Sequence, residues 1–440
     1  MRLSAETPLP ASVQAPGYDR GVQAAGIVHI GIGAFHRAHQ AVYTDDAMAA
    51  GDRDWGIVGV SLRSGDVASQ LNPQDGLYSV SMRSAAGSEL RLIGAVQKVL
   101  VAADDPQAVV DAIAAPTTHI VSFTVTEKGY LRGSDGALDL DAAKGASSLY
   151  RFVGAALAAR KASGLSGLTL LSCDNLASNG AALKALMRQY LAAEYSHLVD
   201  WFDRECCCPA TMIDRIVPAT TDADRAAVEA ALGVRDEGAV VTEGFSQWVI
   251  EDDFAGPRPR WEKVGAELVA DVAPYETAKL RMLNGAHSAL AYIGLGAGHE
   301  FVHQAIADPA IRPVIERLMR DEAAPTIDAA PGQDLSAYAD ALLDRFANPA
   351  LHHRLIQIAM DGSQKIPQRW LETLAWHQKR GRRCPSLEAA IAAWIAFLRS
   401  EHPVDDPLAD KLREAAAAPD AMQKLFGDGG LIASDWRPET

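Results

Sequence analysis

Lys279, Asn284 and His287 lie in one stretch, Tyr275-Glu-Thr-Ala-Lys-Leu-Arg-Met-Leu-Asn-Gly-Ala-His287. Their types offer a base, an amide donor and an imidazole. Those groups can take a proton from an alcohol and hold the charge left on its oxygen. On an α-helix, at about 100° per residue, spacings of five and three keep the three within an arc of roughly 140°. A solvated polar stripe would show the same spacing, so the surrounding elements must decide between the two readings.

The chain has 440 residues, of which 48% are apolar and 22% charged, enough for two or three folded domains. Its formal net charge of −15 gives it no general attraction for nucleic acid or an anionic membrane surface. Any anionic ligand must therefore be held by local cations or backbone donors. The opening Met1-Arg-Leu-Ser-Ala-Glu lacks a basic-then-apolar leader pattern, and no apolar run reaches the ~18 residues of a membrane span. A cytoplasmic location is expected. Five cysteines fit that compartment, and the run Cys206-Cys207-Cys208 has no nearby C-x-x-C to complete a zinc site. Nothing in the sequence specifies an oligomeric state.

The first half alternates strand-like and helix-like segments. Gly26–Gly33, Trp55–Leu62, His119–Thr126 and Leu168–Cys173 read as buried strands, with helices at Pro106–Ala114 and Leu149–Lys161. From about Pro274 onward, alanine- and leucine-rich amphipathic stretches take over: 275–293, 310–320, 335–346, 367–380 and 387–400. The expected fold class is α/β. A Rossmann-type, doubly wound domain over residues 1–272 is followed by a mainly helical domain over 273–440 that carries the Lys279 stretch.

The first strand runs into Gly31-Ile-Gly33-Ala-Phe35-His36-Arg37. Two glycines after an apolar strand allow a tight turn and close approach to a pyrophosphate, which the next helix N-terminus would also attract. The usual third glycine is replaced by bulkier residues, and Arg37 is expected to pair with a phosphate oxygen. Past the second strand, Asp66 would hold ribose hydroxyls and favours NAD, while Arg63 would suit the 2′-phosphate of NADP. NAD is the expected cofactor.

Several ordered segments together resemble the polyol-specific long-chain dehydrogenase/reductase family, which includes mannitol 2-dehydrogenase and fructuronate reductase. They are Ile27–Gln40, Thr124-Val-Thr-Glu-Lys-Gly-Tyr130, Ser172-Cys-Asp-Asn175, Thr211-Met-Ile-Asp-Arg-Ile-Val-Pro218, Gln247–Asp252, the Lys279 stretch and Asp361-Gly-Ser-Gln-Lys-Ile-Pro367. The resemblance implies a metal-independent oxidoreductase with Lys279 as general base. It implies Asn284 and Asn175 as donors to the developing alkoxide, His287 as a substrate-orienting group, and Asp214 and Lys365 as contacts to other substrate oxygens. Glu276, one turn before Lys279, would relay protons to bulk water or would simply be solvated.

Within that resemblance, Lys128, Gln357 and Arg281 lean towards D-mannonate and D-fructuronate as the substrate pair. Lys128, Arg281 or Lys365 would supply a cation for the carboxylate, although Lys128 and Arg281 would serve equally in structural ion pairs. D-mannitol and D-fructose, or another hexitol or pentitol, are the alternative. The segment from Tyr130 to Leu149 is shorter than the family pattern and borders the cofactor domain. A non-catalytic nucleotide-sensing module would not need Lys279, Asn284 and His287 together. His299-Glu-Phe-Val-His303 is a literal H-E-x-x-H, but no third zinc ligand follows at a zincin spacing and glycines precede it, so a zinc peptidase is a remote alternative. His36 and His39 are expected to pack or cap beside the glycine turn. His352-His353 is expected on an exposed helix end, and Trp248 in the core.

Overall fold

The protein is described by a computed structural model at residues 1–84, 87–133 and 135–438. The chain divides into two compact units, Met1–Val272 and Ala273–Thr440.

The first unit contains strands β1 (Ala25–Ile30), β2 (Gly56–Ser61), β3 (Tyr78–Ser84), β4 (Gly87–Ile93), β5 (Val96–Val101) and β6 (Ile120–Phe123). They continue with β7 (Thr169–Ser172), β8 (Thr211–Asp214), β9 (Val240–Glu243), β10 (Gln247–Glu251) and β11 (Glu267–Val269). The main sheet has the order β5-β2-β1-β6-β7, and every pairing in it is parallel. Alternate residues feed opposite cores: Val28, Ile30, Val58 and Val60 face one side, and Ile27, Ile57 and Ile120 the other. Burial on both faces explains why these strands read as continuous apolar runs. From β1 the chain moves to β2 on one side and later returns to β6 on the other. Such a reversal opens a crevice at the carboxyl ends of the strands.

Two three-stranded sheets complete this unit, β4-β3-β9 and β11-β10-β8. The sequence reading missed their strands and the edge strand β5. β8 and β9 have only four residues each, while β3 and β4 are buried along one end and exposed at the other. Such short or half-exposed runs lack a clear two-residue period. The shortened segment between Tyr130 and Leu149 includes Ser134, which lies outside the described residues; the rest carries a four-residue helix at Leu140–Ala143.

The second unit is helical, with an isolated β-bridge between Phe301 and Arg354. Its first helical stretch is α-helical at Ala273–Ala278, π-helical at Lys279–Asn284 and α-helical again at Gly285–Gly296. Two more π-helical turns occupy Leu318–Ala323 and Pro367–Leu371, and both pack against the first. Proline inside a helix clashes with the carbonyl four residues back, so the wide turn at Pro367 accommodates it. Met282, Ala286, Leu290, Trp370 and Trp394 belong to one buried core. No helix among the described residues is long and apolar enough to cross a membrane.

Candidate active site

The first unit carries a cavity of about 870 Å³ at the carboxyl ends of β1, β2 and β6. Gly31, Gly33, Arg63, Asp66, Thr126 and Lys128 are in its wall. Gly31 has φ +99, and a Cβ there would stand 2.1 Å from Thr124 O, so the protein itself excludes any side chain. Gly33 differs: a Cβ would meet nothing closer than Gly31 O at 3.8 Å. The protein leaves that volume free, which gives room for the close approach of a pyrophosphate. Asp66 opens the helix Asp66–Leu71, which places a carboxylate and the Arg63 guanidinium in the same wall. The cradle therefore fits a dinucleotide.

Phe35, His36 and Arg37 depart from the expectation, because none of them lines the cavity. Arg37 is buried, donates to Gly33 O at 3.3 Å and to Gly238 O at 2.5 Å, and lies over the Tyr78 ring. It is an internal tie and not a phosphate ligand. His36 is fully buried and stacks on His29 with ring centroids 3.4 Å apart. Phe35 stacks on His39 at 5.2 Å. Where a third glycine would bring the helix close, these residues pack the turn against the sheet. Burial lowers the pKa of His29 to about 3 and that of His36 well below the ordinary imidazole value, so both rings stay neutral.

The ends of β6 and β7 are joined by Asp174. Its two carboxylate oxygens accept from Val125 N and Thr126 N at 2.9 Å each, and from the Tyr130 hydroxyl at 3.0 Å. Burial pushes the carboxyl pKa up against these hydrogen bonds. Thr126 has φ 62, an unfavourable conformation for a β-branched residue, and Asp174 holds its amide there. Asn175 follows on the exposed side. Asn179 staples β7 to β8: its Nδ2 donates to Thr211 O at 2.9 Å and its Oδ1 accepts from Thr211 N at 2.9 Å. β8 ends at Asp214, which is buried.

In the second unit, Lys279, Asn284 and His287 lie on the one helical stretch and are each half-buried. The turn from Lys279 to Asn284 is wide; the Gly285 N–H reaches back five residues to Leu280 O. An α-helix sets residues five apart roughly 140° around the axis, whereas a turn closed by i→i+5 bonds stacks them about one turn apart. The sequence expectation of a regular α-helix is thus corrected, and Lys279 and Asn284 share a face more closely than it implied. His287 packs against Phe346 at 4.7 Å and edge-on to His353 at 5.2 Å. Burial first, then His353, Arg345 and Arg369, lowers its pKa well below the ordinary value, so it acts as a neutral imidazole. His353 is therefore not on a solvated helix end as expected; only His352, after the turn Pro349–Leu351, is exposed.

Arg281 is engaged by Thr326 O and Oγ1 at 2.9 Å and by Glu372 at 2.9 Å. It braces the helix and is not free for a carboxylate. Lys365 donates to Met360 O at 2.6 Å, and burial followed by the charge of Arg369 lowers its pKa. Glu276 is half-buried one turn before the wide turn. The H-E-x-x-H histidines do not share a helix, because the helix begins at Val302; His299 bonds Asp308 at 3.0 Å, and Glu300 pairs with Arg354. Asp174, Asn179, Arg369 and Trp370 escaped the sequence reading. The signals were present as Asp174 beside Asn175 and as a proline, Pro367, inside a helical pattern just before Arg369.

The family model described as the mannitol dehydrogenase Rossmann domain matches residues 25–263, and the one described as the mannitol dehydrogenase C-terminal domain matches residues 271–426. D-mannonate oxidoreductase of Escherichia coli (strain K12) is 40% identical over 446 residues, covering 96% of this chain and 92% of that protein. Mannitol 2-dehydrogenase of Pyrenophora tritici-repentis is 38% identical over 444 residues, covering 95% and 78%. Among solved structures, a substrate-free D-sorbitol dehydrogenase aligns with TM-score 0.92 at 34% identity, covering 97% of this chain and 92% of that one. The Pseudomonas fluorescens mannitol 2-dehydrogenase ternary complex with NAD and D-mannitol aligns with TM-score 0.81 at 35% identity, covering 99% and 93%.

Proposed function

Because the chain belongs to the mannitol dehydrogenase family and is an oxidoreductase acting on CH–OH groups, we propose that it interconverts D-mannonate and D-fructuronate with NAD. The cavity wall at Gly31, Gly33 and Asp66 would hold NAD, which would supply the hydride acceptor for the carbinol carbon. Lys279 takes the hydroxyl proton at its Nζ. The side-chain amides of Asn284 and Asn175 donate to the oxygen as its charge grows, which performs in this reading the work a metal ion would otherwise do. The neutral His287 orients a neighbouring hydroxyl, Glu276 exchanges the proton with solvent, and Asp214 and Lys365 hold oxygens further along the chain of the sugar.

The wide turn carries this reading. It stacks Asn284 on Lys279, so a base and an oxyanion donor serve one oxygen atom. The aldonate is supported by the D-mannonate oxidoreductase relative and by Lys128 in the cavity wall. A neutral hexitol is favoured by a different observation: Arg281 is spent on Glu372 and Thr326, which removes one cation that a carboxylate would use.

Following NADH consumption with D-fructuronate, D-tagaturonate and D-fructose separates these readings. The highest kcat/KM is expected with D-fructuronate. A preference for D-fructose would move the assignment to the hexitol, and no oxidation with any keto-sugar would overturn the dehydrogenase reading.

A further inference from the structure

We infer that Arg369 and Trp370 are positioning residues for the wide turn between Lys279 and Asn284, an inference that rests on Lys279 being the base. Arg369 Nη1 donates to Ser288 Oγ at 2.7 Å and to Asn284 O at 3.4 Å. Trp370 Nε1 donates to Gly285 O at 3.0 Å. Both donors come from the wide turn at Pro367–Leu371, and both grip the carboxyl edge of the wide turn at Lys279–Asn284.

A helical carbonyl has a second lone pair, and where it tilts off the axis it accepts an external donor. Here two consecutive carbonyls do so, at the junction where an i→i+5 turn returns to i→i+4. Without those donors, the regular α-helix would compete with the wide turn, because π-helical turns are rare and persist where their surroundings favour them. Reversion would carry Asn284 roughly 140° around the helix from Lys279.

Arg369 is otherwise unengaged in a way that fits this task. No carboxylate pairs with it, and its Nε and Nη2 make no hydrogen bond among the described residues. Burial lowers its pKa to about 10, so it remains a cation at neutral pH. A guanidinium kept half-buried without a counterion is costly, and the Asn284 and Ser288 contacts are what it gains. Trp370 is fully buried, and its indole N–H has Gly285 O as its acceptor.

The test compares Arg369→Ala, Arg369→Lys and Trp370→Phe with Lys279→Ala in the full-length protein. kcat, both KM values and the melting temperature are measured, together with a crystal structure of Arg369→Ala. Arg369→Ala is expected to lower kcat about 100-fold, the scale of an ångström-sized misplacement of a reacting group, with KM for NADH unchanged. Arg369→Lys recovers part of the loss, Trp370→Phe shows a smaller loss without unfolding, and the variant crystal shows an α-helical turn at 279–284.

Normal kcat in Arg369→Ala and Trp370→Phe, while Lys279→Ala is inactive, would overturn the inference and leave the base assignment standing. An unchanged wide turn in the crystal would overturn it whatever the rates. Full turnover in Lys279→Ala would instead remove the base assignment, and the crystal alone would then decide whether Arg369 holds the turn. Should Arg369→Ala fail to fold, Trp370→Phe and Arg369→Lys carry the same comparison.

Discussion

Asn284 stands about one turn above Lys279, because the helix between them closes five residues back and not four. Two side chains that a regular helix would splay apart therefore share one face. Lys279→Ala is expected to lower kcat by about 10²–10⁴-fold, the usual worth of a general base. Asn284→Ala should cost about 10²–10³-fold, the worth of an oxyanion donor. Fluorescence titration with NADH checks that cofactor affinity stays near the parent value in both; near-normal turnover in Lys279→Ala would remove it as the base.

Gly31 and Gly33 separate folding from ligand binding. Gly31→Ala forces a Cβ to within 2.1 Å of Thr124 O at φ +99 and should lower the melting temperature. Gly33→Ala has room in the protein and should melt like the parent, yet bind NADH more weakly because its methyl occupies the cradle. Equal NADH affinity in parent and Gly33→Ala would mean that the pyrophosphate lies elsewhere.

Asp174→Asn keeps the shape but sets an NH2 group against one of two backbone donors, Val125 N or Thr126 N. One buried hydrogen bond is lost, about 1–3 kcal/mol, and the strained Thr126 turn is released. KM for NADH is expected to rise more than KM for the sugar, since Thr126 lines the cofactor cavity. Steady-state kinetics with each substrate varied in turn reads that difference.

Acid should unfold the protein through its buried histidines. His29, His36, His287 and His353 all have lowered pKa values, burial being the main cause in each. Below the unfolded value of 6.5 the unfolded chain binds protons that the folded one refuses, so stability falls as pH drops. For His29 the loss continues to about pH 3. Each of the two fully buried rings, His29 and His36, costs about 1.4 kcal/mol per pH unit within its window. Urea midpoints at neutral pH and at mildly acidic pH, compared between the parent and His36→Phe, check the slope.

The parallel sheet was legible because buried strands such as β1 and β6 are apolar on both faces, and Pro106–Ala114 and Leu335–Phe346 were legible because their polar and apolar residues follow the helical period. The partners of the site were not. Asp174 bonds amides 48 and 49 residues away, and Arg369 bonds Ser288 across 81 residues, separations that no local pattern encodes. The five-residue spacing of Lys279 and Asn284 was visible, but its meaning depends on a helical pitch that residues from another helix impose.

A wide turn is, in chain length, an α-helix with one residue too many. Removing one residue from Leu280–Leu283 would let this helix run at its ordinary pitch while His287 and everything after it kept their seats in the core. Elsewhere in a helix the same deletion would rotate one whole side out of register. The deletion would also set the asparagine four residues after Lys279, about 40° around an ordinary helix, so the two side chains would still stack about one turn apart. The wide turn and the extra residue thus cancel each other, and a natural relative one residue shorter there should fold and keep its asparagine beside the lysine.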